Sequence, residues 1–242
     1  MLQRTITRSL LFVCCAALCA CDQLPGKPKE ADRWQPPEAN KDFADLYSTN
    51  CLACHSNGKT VGAAIAMNDP LYIAVLPKDV LHKVVAEGIH ATTMPGFSKA
   101  QGGPLTDEQI NILVDGISAW GKGNVSTNLP PYAAALGDVQ RGSAVFAQDC
   151  ASCHGKDGTG DKAGSVVDGT YLSLVTDQYL RSVVIAGRTE LGMPNYQEDV
   201  KGTPMTSEQI ADVVAWLASH RATATQEQKA ADATQPTNSN QQ

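Results

Sequence analysis

The pattern Cys-x-x-Cys-His occurs twice in this chain of 242 residues, at 51–55 and again at 150–154. The same shift of 99 residues aligns several further pairs, which are Tyr72 with Tyr171, Leu81 with Leu180, Gly88 with Gly187, and Met94-Pro95 with Met193-Pro194. After one inserted residue in the second copy, TDEQI at 106–110 aligns with TSEQI at 206–210. Two copies are too few for a solenoid, so the sequence predicts a tandem duplication of one compact unit.

Each copy has the apolar spacing of helices. The helix before the motif has its apolar residues on one face, namely Phe43, Leu46 and Tyr47 in the first copy and Val145 and Phe146 in the second. A later helix carries Val80, Leu81, Val84 and Val85 on one side. Gly88 is placed to end that helix.

The last helix of each copy begins with a capping-box pattern, Thr106 with Gln109 and Thr206 with Gln209. Its apolar stripe has the i, i+3, i+4, i+7 spacing of a packed helix, formed by Ile110, Leu113, Val114 and Ile117 and by Ile210, Val213, Val214 and Leu217. These patterns predict an all-α fold of two tandem domains, at 40–122 and 136–221. A linker at 123–135 joins them, and a low-complexity, disordered tail follows at 222–242.

The N-terminal residues 1–20 have the features of an export signal. Arg4 and Arg8 precede a short apolar run, Ser9 to Ala20, which is too short to span a bilayer. Leu18-Cys19-Ala20-Cys21 resembles a bacterial lipobox, in which Cys21 is lipidated and becomes the mature N-terminus. An ordinary signal peptide cleaved nearby is the alternative. The polar, proline-rich stretch at 21–39 is predicted to be a flexible tether.

This interpretation accounts for all eight cysteines of the sequence. Cys14, Cys15 and Cys19 leave with the signal peptide, and Cys21 carries the lipid. The remaining four all lie in the two motifs, as Cys51, Cys54, Cys150 and Cys153. No thiol is left for a structural disulfide elsewhere, although export normally favours disulfides.

Cys-x-x-Cys-His is the attachment signature of c-type haem. The two thiols of each motif add to the two vinyl groups of the porphyrin, so Cys51 with Cys54 and Cys150 with Cys153 would each anchor one haem. The adjacent histidines, His55 and His154, would then bind the iron. Two alternatives are weaker. A structural zinc site needs four ligands, and each copy offers three. A thioredoxin-like dithiol favours a βαβ setting.

The repeat also predicts which residues are the sixth ligands of the two irons. Met94 and Met193 each lie 43 residues after the first cysteine of their motif, and each is followed by proline. A thioether ligand favours reduced iron and raises its potential. Met67 and Met205 match Val166 and Leu105 in the other copy, so they are predicted to be core residues. His82 and His90 are the remaining, less favoured candidates because their counterparts are Arg181 and Thr189.

Three residues of the second copy are candidates for tuning its haem. Arg181 and Arg188 fall near the methionine loop and would either pair with haem propionates or face solvent. Trp216 would pack toward the second haem, whereas Gly116 takes its place in the first copy. The potentials of the two haems therefore need not match.

CLACH with Met94, and CASCHGKDGTG with Met193, resemble class I cytochrome c domains. The stretch YLRSVVIAGRTELGMPNY is similar to domains of bacterial respiratory-chain cytochromes, and the tandem arrangement to dihaem cytochromes such as cytochrome c4. The resemblance implies a small helical fold around each haem, with His55 and Met94, and His154 and Met193, as ligand pairs. The first copy departs from it by lacking the glycine-rich run after its histidine.

The resemblance implies electron transfer at the periplasmic face of the bacterial inner membrane, where the lipid would anchor the chain. Expected partners are a quinol-oxidising complex and a terminal oxidase or reductase. The net charge of −6 favours basic docking faces on these partners and argues against nucleic acid. One alternative is a haem-carrying subunit of a quinol–cytochrome c reductase, an oxidase or a periplasmic dehydrogenase. A dihaem peroxidase or thiosulfate dehydrogenase is less favoured because methionine would cap both irons.

Overall fold

The computed structural model describes residues 26, 29, 33–56, 61–90, 92–121, 128–197 and 203–221. The predicted signal peptide at 1–20, Cys21 and the predicted tail at 222–242 lie outside these residues, as do parts of the predicted tether and linker. Within the described ranges, no helix is long and apolar enough to cross a membrane. The described residues form two units, one up to Asn40 and one from Lys41 onward that contains both copies.

The two copies have the same order of helices. The first copy contains α1 (Phe43–Asn50), α2 (Leu52–His55), α3 (Pro70–Val75), α4 (Lys78–Glu87) and α5 (Asp107–Trp120). The second contains α6 (Val139–Asp149), α7 (Ala151–His154), α8 (Gly169–Ser173), α9 (Asp177–Ala186) and α10 (Ser207–Ser219). Short 3-10 turns lie at Pro37–Ala39, Lys99–Gln101 and Thr189–Leu191. The described residues form no strand, which confirms the all-α prediction.

The last helices have the predicted caps and core faces. Both capping boxes form, and Thr106 and Thr206 accept hydrogen bonds from the backbone N–H groups of Gln109 and Gln209. The predicted apolar stripes of α5 and α10 are buried: Ile110, Leu113, Val114, Ile117, Ile210, Val213, Val214 and Leu217. Gly88 ends α4, as its position predicts, with a φ of 77°.

The sequence patterns did not predict the short helices α3 and α8. An aspartate caps each of them, since Asp69 accepts from the N–H of Tyr72 and Asp168 from the N–H of Tyr171, both at 2.7 Å. An aspartate cap followed by Pro70 at the first helical position was the available signal for α3. These helices are too short to show an apolar period, so the pattern search missed them.

The first and last helices of each copy pack closely where they cross. In the first copy the aromatic residue at the crossing lies on the first helix, whereas in the second copy it lies on the last helix. In the first copy the Phe43 ring occupies the space that a side chain on Gly116 would need. In the second copy the corresponding pair is reversed, because Gly142 on α6 lies against the backbone of Asp212 and the side chain of Trp216 on α10. The ring centroid of Trp216 lies 4.2 Å from that of Phe146.

An ion pair reinforces the crossing in the second copy. Asp212 has a side chain that is only 3% exposed, and it accepts from Arg141 Nε at 2.7 Å and from Arg141 Nη2 at 2.9 Å. The N–H of Asp138, which caps α6, donates to the same carboxylate at 2.6 Å. These bonds to Arg141 hold the pKa of Asp212 below its usual value. The start of α6 is thereby tied to the middle of α10.

The apolar cores of the two copies meet through α3. Leu71 and Val75 lie on α3 of the first copy, but they cluster with Ile185, Tyr196 and other buried residues of the second. Helices α3 and α9 are in direct contact. The two copies therefore share an apolar interface.

Replacing Gly142 with alanine is expected to destabilise the protein by about 1–3 kcal/mol, the usual cost of overpacking a filled site. An added Cβ would overlap the backbone carbonyl of Asp212, which cannot move without shifting α10. Thermal unfolding should show this as a Tm lower by roughly 2–4 °C per kcal/mol. Gly164→Ala is the control, because a Cβ at Gly164 meets nothing within 4 Å. Equal Tm values for the two variants would contradict the packing described for α6 and α10.

Candidate functional site

Each Cys-x-x-Cys-His motif forms one helical turn that continues from the first helix of its copy. Helix α1 ends at Asn50, and the N–H groups of Cys54 and His55 then bond to the carbonyl of Cys51 at 3.2 and 2.9 Å. The second motif repeats this, since Cys153 and His154 bond to the carbonyl of Cys150 at 3.1 and 3.0 Å. Residues three apart in a helical turn lie on the same face. Both thiols of a motif therefore face the same side, with the histidine next to them.

The histidine tautomer is set by a backbone carbonyl in both copies. His55 Nδ1 lies 2.9 Å from the carbonyl oxygen of Ile65, and His154 Nδ1 lies 2.9 Å from that of Gly164. A carbonyl only accepts, so Nδ1 must carry the proton and Nε2 keeps a free lone pair. This arrangement orients a metal-binding imidazole and raises its basicity. Burial lowers the pKa of His55, which favours the neutral ligand form.

The two copies hold the loop after the histidine by different means. Ser56 has a φ of 58°, which is rare for a residue with a side chain, and its carbonyl accepts from the Tyr47 hydroxyl at 2.5 Å. The second copy has Gly155 there, with a φ of 79°, and Phe146 replaces the tyrosine. Both loops nevertheless form the same backbone hydrogen bond to the second cysteine of their motif. The N–H of Ala64 bonds to Cys54 at 3.0 Å, as that of Ala163 does to Cys153 at 2.9 Å.

The thiols do not have the properties of a redox dithiol. Burial raises the pKa of Cys51 to about 11 and that of Cys150 to about 12. A reactive Cys-x-x-Cys pair lowers the pKa of its attacking thiol instead. Cys54 and Cys153 are exposed, and none of the four described cysteines forms a disulfide. In the part of the chain that the structure describes, no group of three or more His, Cys, Asp or Glu side chains is arranged to hold a metal ion.

These features fit a covalently attached haem. The thiols are unpaired and face one side, and each histidine is fixed with Nε2 free. Each copy also has its own core against which a large apolar ring would pack. The donor set of one imidazole and two thiols matches the attachment chemistry that the sequence predicts, whereas a closed zinc site would need a fourth ligand.

The loops that carry Met94 and Met193 are held against the preceding helix by a glycine. In the first copy the N–H of Ile89 bonds to the carbonyl of Met94 at 3.0 Å. A Cβ on Gly88 would lie 2.6–2.7 Å from the backbone of Met94, Pro95 and Gly96. Gly187 meets the backbone of Met193 and Pro194 in the same way. Each methionine loop therefore packs directly against the end of α4 or α9. This contact of Gly88 or Gly187 with the methionine loop is called the glycine clamp below.

The other candidate ligands differ in environment. Met67 and Met205 are buried in the apolar clusters, with 7% and 8% of their surface exposed, which confirms them as core residues. His82 is half-buried on α4, and His90 is exposed beyond its end. Met94 and Met193 are half-buried. Their role as sixth ligands stays a prediction.

Arg181 is not solvent-facing, so that alternative is wrong for this residue. It is 3% exposed, and its Nε and Nη2 donate to the Pro131 carbonyl in the linker at 3.1 and 2.9 Å. Burial lowers its pKa. Arg181 therefore holds the linker against α9. Arg188, in contrast, reaches the first copy, where its Nη2 donates to the carbonyl of Gly62 at 2.7 Å.

Sequence comparisons match each copy to a protein family. Residues 139–221 match the model described as Cytochrome c, and residues 38–115 match Cytochrome C oxidase, cbb3-type, subunit III. Among curated relatives, the cbb3-type oxidase subunit FixPc of Rhizobium leguminosarum bv. viciae is 30% identical over 126 residues, covering 48% of this chain and 39% of the relative. Subunit CcoP of Cereibacter sphaeroides is 30% identical over 129 residues, covering 49% and 40%.

This chain spans about 40% of the length of these curated relatives. Among solved structures, the thiosulfate dehydrogenase TsdBA from Marichromatium purpuratum is 18% identical, over 80% of this chain and 42% of that chain. Its TM-score of 0.28 is too low to carry an argument about fold or function. The two family matches, by contrast, identify two tandem cytochrome c domains, which implies two covalently bound haem c groups.

Replacing Gly88 with alanine is expected to displace the Met94 loop. Gly102→Ala is the control, because Gly102 also has a φ of 77° but a Cβ there meets nothing within 4 Å. Gly102→Ala should lose about 1–2 kcal/mol through left-handed strain, and Gly88→Ala about 1–3 kcal/mol because Gly88, with a ψ of −169°, has a backbone conformation almost exclusive to glycine. Gly88→Ala should lose a further 1–3 kcal/mol through overpacking. It should also weaken the near-infrared methionine-to-iron band of one haem. Equal Tm values and unchanged bands in both variants would contradict the clamp.

Proposed function

We propose that this chain, which belongs to the c-type cytochromes and carries two cytochrome c domains in tandem, passes single electrons between respiratory partners. A bound haem supplies an iron that cycles between Fe(II) and Fe(III). Covalent attachment at Cys51, Cys54, Cys150 and Cys153 keeps each haem in its domain. The observation that carries this proposal is the repeated histidine geometry, with Nδ1 at 2.9 Å from a carbonyl in both copies.

The axial ligands that we propose are His55 with Met94 in the first domain and His154 with Met193 in the second. Support for the methionines comes from their equal distance from the motifs and from the glycine that clamps each loop. A haem held by these residues would gain and lose single electrons, with both ligand positions of its iron taken by the protein and not by a substrate. The hydrogen bond on each histidine and the glycine behind each methionine loop would keep these residues in place during electron transfer.

A terminal oxidase is the partner class that the relatives favour. The curated relatives are subunits of cbb3-type cytochrome c oxidases. We therefore propose that the chain delivers electrons to such an oxidase or to a similar terminal reductase, either as a bound subunit or as a separate carrier. Its net charge of −6 favours partners with basic docking faces. We further propose that a lipid on Cys21 holds it at the periplasmic face of the inner membrane.

The ligand sets are tested with Met94→Ala and Met193→Ala in protein produced with haem-maturation machinery. Mass analysis should find two haems in the wild type and in both variants, because the cysteines and histidines are unchanged. Each variant should lose part of the near-infrared methionine-to-iron band. The potential of one haem should also fall by more than about 59 mV, a tenfold change for one electron. An unchanged band in both variants would show that other residues supply the sixth ligands.

The partner class is tested by extraction of native membranes with mild detergent. A chain that serves a terminal oxidase should co-purify with oxidase activity or reduce the purified oxidase directly. That reduction should slow as salt rises, because screening weakens the attraction between charged faces. A rate that is independent of salt would contradict docking through basic faces. Failure to reduce any terminal oxidase would contradict the partner class.

A further inference from the structure

Arg188 belongs to the methionine loop of the second domain through its backbone. Its N–H donates to the carbonyl of Met193 at 3.1 Å, and the N–H of Met193 donates to the carbonyl of Arg188 at 3.1 Å. This pair of bonds forms an isolated bridge beside the glycine clamp at Gly187. The position of Arg188 is therefore fixed relative to Met193.

The side chain of Arg188 extends into the first domain. Nη2 donates to the carbonyl of Gly62 at 2.7 Å, and Nη1 lies 3.5 Å from the carbonyl of Ala63. Nε donates to Glu190 at 2.5 Å, which holds the guanidinium in one orientation. Only 12% of the Arg188 side chain and 28% of the Glu190 side chain are exposed. Partial burial makes these bonds stronger than those of an exposed pair.

The segment that Arg188 holds is the one that orients the histidine of the first motif. Gly62 packs directly on the carbonyl of Cys54, so closely that a Cβ would overlap it. Ala64 donates its N–H to the same carbonyl at 3.0 Å. The next residue, Ile65, provides the carbonyl bound by His55 Nδ1. Arg188 thus acts two to three residues from the acceptor that fixes the imidazole.

The first domain has no equivalent residue. The position that matches Arg188 is Ile89, which keeps the backbone bond to Met94 but carries an apolar side chain. The hydrogen bonds of Arg188 therefore run from the methionine loop of the second domain to the histidine loop of the first, and the apolar side chain of Ile89 has no donor for an equivalent bond. The apolar contact between α3 and α9 lies beside it and holds the two domains together.

We propose that Arg188 is a positioning residue that couples the two haem sites, by linking the loop of Met193 to the loop of His55. The inference rests on the proposed function, because it takes these two residues as axial ligands. The group that accepts the other ring N–H of a metal-binding histidine changes the basicity of the imidazole and thereby the properties of the metal. Loss of the link loosens the loop that contains Ile65, weakens the His55 hydrogen bond, and raises the potential of the first haem.

The test is the double variant Arg188→Gln with Glu190→Gln, which removes the link without changing the net charge. The potential of each haem is measured by spectroelectrochemical titration and assigned with Met94→Ala and Met193→Ala. We expect the reduction equilibrium of the first-domain haem to shift at least threefold toward the reduced form. That is roughly 28 mV at 59 mV per tenfold change for one electron.

The matched control is Arg221→Gln with Asp177→Asn. Arg221 also pairs with a carboxylate, Asp177, at 2.9 Å and donates to the carbonyls of Leu172 and Val175 at 2.8 and 3.1 Å. All of these partners lie within the second domain. The control should therefore leave the potential of the first haem unchanged, even where it lowers the Tm as much as the test variant does.

The outcomes separate the coupling from the proposed function. Wild-type protein without two methionine-ligated haems would overturn the ligand assignment before any comparison of variants. With both haems in place, an unchanged first-domain potential in the double variant would overturn the coupling. A fall in Tm without a shift in potential would also overturn it, since that is the result of a purely structural contact. If the double variant does not fold, Arg188→Lys serves instead, because it keeps the charge and loses the two-pronged contact.

Discussion

The crossing of the first and last helices is the contact on which the rest of each domain depends. The haem-binding motif begins at the residue where the first helix ends, so the angle of that helix sets where the thiols and histidine point. Close approach requires a glycine on one helix and permits an aromatic ring on the other. The chain meets this requirement twice with opposite assignments, Phe43 over Gly116 and Trp216 over Gly142. Both domains therefore have the same helix contact, although the residue types at the two positions differ.

The same compensation appears in the loop after each histidine. The backbone must turn with a positive φ at one residue, and glycine adopts that conformation without strain. The second domain has Gly155 there, whereas the first has Ser56 and a hydrogen bond from Tyr47 to its carbonyl. At this one position, the glycine of the second domain is therefore replaced in the first by a serine whose carbonyl is bonded by a side chain on α1. The histidine hydrogen bond is identical in both, so the ligand geometry does not depend on which solution is used.

Much of each domain could be predicted from the sequence because its signals are local or repeated. The capping boxes at Thr106 and Thr206 and the stripes of α5 and α10 depend on residues within one helix. The motifs and their matched methionines are visible because the duplication displays them twice. Helices α3 and α8 were missed because five or six residues are too short to establish an apolar period. The burial of Arg181 against the linker was missed because it depends on a contact 50 residues away.

The contacts between the domains could not be predicted from the repeat, and these contacts also bear on function. A duplication reveals what the two copies share, whereas an interface between the copies depends on where they differ. Leu71 and Val75 of the first domain enter the core of the second, and Arg188 crosses in the other direction. Ile89, its counterpart, has an apolar side chain that cannot donate such a hydrogen bond. Two domains of common origin therefore need not be interchangeable, because Arg188 reaches the loop of the first motif from a position where the first domain has an isoleucine.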